Sequence, residues 1–133
     1  MSYGDAWSNR CPFSTLLGKT VTHISGLEAG SDRVVFDCAD GTQFTMAHQQ
    51  DCCESVSIDD VVGHAADLIG SPLTMADEVD YDGQRQSQYD ESFTWTFYKL
   101  ATIKGYVDIR WYGTSNGYYS ESVDFWQSGG VTP

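Results

Sequence analysis

From Phe93 to Thr102 the chain reads Phe-Thr-Trp-Thr-Phe-Tyr-Lys-Leu-Ala-Thr. Aromatic and β-branched residues suit the pleated surface of a strand, and a period of two separates an inward from an outward face. Trp95 and Phe97 therefore share one side of this strand. Two more β-rich runs follow, Tyr106 to Tyr112 and Tyr118 to Trp126, separated by Lys104-Gly105 and Thr114-Ser-Asn-Gly117. Glycine at these separators predicts an antiparallel meander over the last third of the chain.

Upstream, Val21 and Ile24, then Val34 to Phe36, then Phe44 and Met46 mark three short strands, and Asp40-Gly41 is a hairpin turn signal between the second and third. Ser57-Ile-Asp-Asp60 has the form of a capping box. Behind it Ile58, Val61, Val62, Ala65, Leu68 and Ile69 fall at helical spacing, with Gly70 and Pro72 as a stop, which predicts one short helix near residues 58–69. Leu73, Met75 and Val79 predict a further strand. The expected fold is α+β, predominantly antiparallel sheet of about seven strands. Residues 1–15 read as an irregular arm tied down by Trp7 and Phe13, residues 16–127 as a single domain, and residues 128–133 as a flexible tail.

A chain of 133 residues is long enough to bury roughly two thirds of its unfolded surface, so no covalent staple is required. Its 19 acidic and 7 basic residues give a net charge of −12. Bare nucleic acid and anionic membranes are poor partners for such a chain, and a basic protein surface is the natural complement. With no apolar leader behind a basic segment and no run approaching a membrane span, the expected location is the cytoplasm. That compartment keeps thiols reduced, so Cys11, Cys38, Cys52 and Cys53 are expected to be free.

Side chains capable of chemistry concentrate in His48-Gln-Gln-Asp-Cys-Cys-Glu54. A cysteine nucleophile needs an electropositive setting, and here Asp51 and Glu54 flank Cys52 and Cys53 with negative charge. Zinc could use His48 and Cys52, completed by Cys11, Cys38 or His23, but the chain has no Cys-x-x-Cys pair. A hard cation could use Asp51, Glu54, Asp59 and Asp60, although the last two also suit the first turn of the expected helix. The reading is therefore no metal, no cofactor and a non-enzymatic role, with the alternative of a small enzyme or metal-binding protein centred on His48, Asp51, Cys52, Cys53 and Glu54.

Two surfaces are candidates for a partner. One is the acidic segment holding Asp77, Glu78, Asp80, Asp82, Asp90 and Glu91, compensated internally by Arg85 alone. Such carboxylates can also imitate a phosphate track. The other is aromatic, drawn from Trp95, Phe97, Tyr98, Trp111, Tyr112, Tyr118, Tyr119 and Trp126. Without interleaved basic residues these favour protein contact over stacking on bases, with Trp111, Tyr118 and Trp126 as anchors for a partner or for a second copy in a homodimer.

Several long motifs occur in one order: the His48 to Val56 segment, Asp67-Leu-Ile-Gly-Ser-Pro72, Phe93-Thr-Trp-Thr-Phe-Tyr98, and Ile109-Arg-Trp-Tyr-Gly-Thr-Ser-Asn-Gly-Tyr-Tyr-Ser-Glu-Ser-Val123. Over roughly residues 16–125 they resemble a family of small uncharacterised proteins found in bacteriophages and prophage-bearing bacteria. The family position held here by His64 is more often acidic, which argues against a catalytic His64. The resemblance implies an accessory protein in the cytoplasm of an infected or prophage-bearing cell. By analogy with small acidic phage proteins, the expected action is binding to a host protein with a basic surface. Inhibition of a defence machine such as a CRISPR effector complex, with possible mimicry of nucleic acid, is its sharpest form.

Overall fold

The structure is a computed structural model that describes residues 9–49, 53–81, 86, 91–117 and 120–130, the side chains of residues 80 and 81 excepted. Among the described residues there are eight strands: β1 Val21–Ser25, β2 Arg33–Cys38, β3 Gln43–Ala47, β4 Ser55–Val62, β5 Met75–Tyr81, β6 Ser92–Thr102, β7 Gly105–Ser115 and β8 Asp124–Gly129. They form two four-stranded antiparallel sheets, ordered β1-β2-β3-β8 and β4-β7-β6-β5. The expected predominance of antiparallel sheet holds. No helix among the described residues is long and apolar enough to cross a membrane.

Both sheets contribute to one core. Val34, Phe36, Phe44, Met46 and Phe125 come from the first sheet, and Val56, Ile58, Tyr98, Leu100, Val107, Ile109 and Trp111 from the second. Between them sits Phe13, from a 3-10 turn at Phe13–Leu16. Its ring lies 4.7 Å from that of Tyr98, 5.2 Å from Phe125 and 6.5 Å from Phe36. Such tilted and edge-on contacts are the favoured aromatic geometries.

The predicted helix over 58–69 is replaced by β4 and a single 3-10 turn at Ala65–Leu68. A bulge explains the misreading. Ile58 pairs with Trp111 and Asp60 with Arg110, leaving Asp59 as the extra residue. Val56 and Ile58 face the core at a spacing of two, and the bulge then brings Val61 inward at a spacing of three, which mimics a helical period. Gly63, at φ +105°, ends the strand where an added Cβ would lie 2.4 Å from the Tyr106 carbonyl oxygen.

The expected meander is also corrected. β6 and β7 form a hairpin, but β8 leaves that sheet and pairs with β3. Asp124, Phe125 and Trp126 are all buried, so this strand needs cover on both faces. The Asp40-Gly41 turn forms as predicted between β2 and β3. Gly41 has φ +89°, and Asp40 Oδ1 accepts from the Thr42 backbone N–H at 3.0 Å and from its hydroxyl at 2.5 Å.

Two outcomes follow for stability. Phe13→Ala should cost about 3–5 kcal/mol in denaturant unfolding, the range for deleting a buried ring, whereas exposed Leu17→Ala should change it little. At the turn, the Lys19 ammonium, 2.6 Å away, and the Thr42 donors hold the Asp40 carboxyl well below its usual range. The stabilisation is present above the ordinary Asp pKa and is lost as pH falls through the lowered one. Because Asp40 is half exposed, Asp40→Asn should cost under about 1 kcal/mol near neutrality, and the difference from wild type should shrink in acid melts.

Candidate functional site

The motif beyond β3 brings two of its residues together. His48 follows the last residue of β3, and Glu54 immediately precedes β4. Their side chains are 4% and 0% exposed, and His48 Nε2 lies 2.8 Å from Glu54 Oε1. On its other side His48 Nδ1 is 2.7 Å from the Ser122 carbonyl oxygen. A carbonyl only accepts, so Nδ1 carries a hydrogen and donates it. The Nε2 contact then requires one proton between the imidazole and the carboxyl.

This arrangement limits the chemistry open to His48. Glu54 orients the ring as a carboxylate orients a catalytic histidine, but the nitrogen that would serve a substrate or bind zinc is held by a backbone carbonyl. Both ring nitrogens are engaged. Beside the pair lies a polar cavity of about 620 Å³, lined by Asp32, Arg33, Ser55 and Ser57 among others. Asp51 and Cys52 fall outside the described residues.

Cys53 corrects the expectation of four free thiols, since it is disulfide-bonded. Cys11 and Cys38 are free, and burial pushes both thiols up. Among the described residues no three His, Cys, Asp or Glu side chains gather as a metal group.

The aromatic anchors divide differently from expectation. Trp111 is 1% exposed within the core, and Trp126 is 3% exposed beside Ala47 on the opposite face of the first sheet from Phe125. Neither is available to a partner. Their indole nitrogens have no hydrogen-bond partner among the described residues, and Tyr118 falls outside those residues. Alternation along β7 turns Ile109 and Trp111 inward and Arg110 and Tyr112 outward.

The outward face of the second sheet is where apolar surface collects. Register places Met75, Ala101 and Tyr106 in one row, Val79, Phe97 and Arg110 in another, and Trp95 beside Tyr112. Val62 lies on the same side, opposite Asp108. Four of the six large apolar side chains exposed among the described residues, Val62, Met75, Val79 and Tyr106, therefore share one face. Arg110 spans its centre, 5.5 Å from the Trp95 ring and 2.6 Å from Asp59. The shared side of Trp95 and Phe97 is readable from alternation, whereas Tyr106 and Val62 are not distinctive without their register.

Of the acidic candidates, Asp77 stands on this face in line with Lys99 and Asp108. Glu78 points the other way and accepts from the Tyr98 hydroxyl at 2.7 Å. Asp80 occupies a β5 position opposite Thr96. Glu91 is exposed just before β6. Asp82, Asp90 and Arg85 fall outside the described residues. The expected acidic loop thus begins as a strand.

A double-mutant cycle tests whether His48 and Glu54 act as one structural unit. His48→Leu or Glu54→Leu alone should destabilise by about 3–5 kcal/mol, the usual result of stranding one member of a buried pair. The double substitution should cost much less than the sum in denaturant melts.

No curated protein and no solved structure matches the chain. Residues 14–125 match a family described as a domain of unknown function, DUF7448. Most of the chain lies within that match, and the chain belongs to this family.

Proposed function

We propose that this chain is a non-enzymatic binding protein of phage or prophage origin that occludes the basic surface of a host protein. Its sharpest form is inhibition of a defence complex with a basic nucleic-acid groove, such as a CRISPR effector. The observation that carries the reading is the outward face of the second sheet, where Met75, Val79, Tyr106 and Val62 are exposed on the same side as the partly buried Phe97 and Trp95. Charged positions cross this face, in the row of Asp77, Lys99 and Asp108 and at Arg110, and a mixture of exposed apolar and charged side chains is the ordinary composition of a protein contact.

Charge supports the choice of partner. Asp77 and Asp60 are exposed at this face beside the exposed cation Lys99, and the whole chain carries −12. A cationic surface would be steered toward it and a second copy repelled. The engagement of both His48 nitrogens favours binding over catalysis by that motif.

The test pairs two exposed substitutions. Tyr106→Asp with Val62→Asp should leave the melting temperature within a few degrees of wild type, because both side chains are more than half exposed. It should nevertheless abolish capture of the host partner that wild type retains, and raised salt should slow wild-type association. Undiminished capture by a folded double variant would show that this face is not the binding surface.

A further inference from the structure

We infer that the free edge of β5 takes up an extended segment of a basic partner protein as an additional strand. The inference rests on the protein-binding reading above and specifies how the contact is made. Its starting point is a difference among the four outer edges of the two sheets.

Three edges are occupied by the chain itself. Beyond β1, Gly70 N–H donates to Val21 O at 2.9 Å, and Leu73 N–H to Lys19 O at 3.0 Å. Beyond β8, Cys11 N–H donates to Phe125 O at 3.1 Å, and Gln127 N–H to Asn9 O at 3.0 Å. Beyond β4, Gly30 N–H donates to Ile58 O and Ile58 N–H to Ser31 O, both at 2.8 Å. β5 pairs with β6 on one side, and no hydrogen bond among the described residues reaches its other side between Met75 and Tyr81. The 3-10 turn at Phe13–Leu16 packs against β5, and its Phe13 ring meets the inward-facing Tyr98 of β6.

An unpaired edge presents alternate N–H and C=O groups that a strand can satisfy. The side chains along this one define the occupant. Met75 and Val79 are 41% and 46% exposed on the outward face, Val79 next to Phe97 and Met75 next to Ala101. Asp77 and Glu78, one on each side of the strand, are also exposed. A segment with apolar side chains on one face and Lys or Arg on the other would extend the apolar surface past Met75 and Val79 and place its cations near Glu78. A second copy fits poorly, since antiparallel self-pairing centred on Glu78 sets that carboxylate against itself between two chains of charge −12.

The test uses the full chain and a short peptide alternating valine and lysine, with binding followed by fluorescence titration and by backbone-amide NMR. Binding should weaken with salt, shift the amides of residues 75–81, and vanish when lysine is replaced by glutamate. N-methylating alternate peptide amides along one edge should weaken binding roughly tenfold or more, and along the other edge leave it nearly unchanged. Asp77→Lys should also weaken it. Equal binding by the two methylated peptides, shifts confined to Trp95 and Phe97, or no binding at all would overturn strand addition. The host-capture result with Tyr106→Asp and Val62→Asp is read independently, so the edge and the face can fail separately.

Discussion

Phe13 is the contact on which the closure of the two sheets depends. The sheets share no strand; backbone bonds from Gly30–Ser31 to β4 and from Ile69–Leu73 to β1 tie their rims, and between them this ring touches Tyr98 in one sheet and Phe36 and Phe125 in the other. Phe44 stacks on Phe125 at 5.4 Å and extends the same cluster. The segment that supplies Phe13 is anchored against β8, close to the other end of the described chain. Early and late residues must therefore meet before the core is complete. Such closure is entropically costly and ties stability to long-range contacts rather than to local propensity.

How much of this is legible in sequence depends on whether a feature is local. Turn chemistry at Asp40-Gly41 and alternation in β6 are properties of neighbouring residues, and both were readable. β4 carries a helix-like pattern because one bulged residue, Asp59, changes the spacing of inward positions from two to three. β8 was recognisable as a strand, but nothing between Tyr118 and Trp126 states that its partner is β3. That choice comes from packing of Phe125 and from Glu121, whose backbone crowds Gly113 while its carboxylate accepts from Thr94 and Ser115.

The candidate sites show the same division. His48 and Glu54 were singled out together by their closeness in sequence. Their restraint comes from Ser122, which is distant in the chain and contributes only a carbonyl oxygen that any residue could supply. Trp111 and Trp126 looked like surface anchors because aromatic residues are common in interfaces, yet parity along β7 and the double-sided burial of β8 place them inside. Conversely, Val62 and Tyr106 look ordinary in sequence and gain meaning only when register puts them on one uncovered face.

Charge and edge geometry can be understood as two parts of one constraint. An uncovered edge beside apolar surface is a hazard for a small β protein, because copies of the same chain can add to it. The irregular segments around Asn9–Cys11, Gly30–Ser31 and Ile69–Leu73 remove that hazard at three edges by pairing with them. At β5 no backbone hydrogen bond among the described residues reaches the outer side, and the exposed Asp77 and Glu78 oppose another acidic strand there. Protection of this kind is selective. Like charge opposes the chain's own copies at long range, whereas a cationic strand would meet attraction first and the hydrogen-bonding edge afterwards, so the charge that disfavours self-pairing also defines the partner proposed for it.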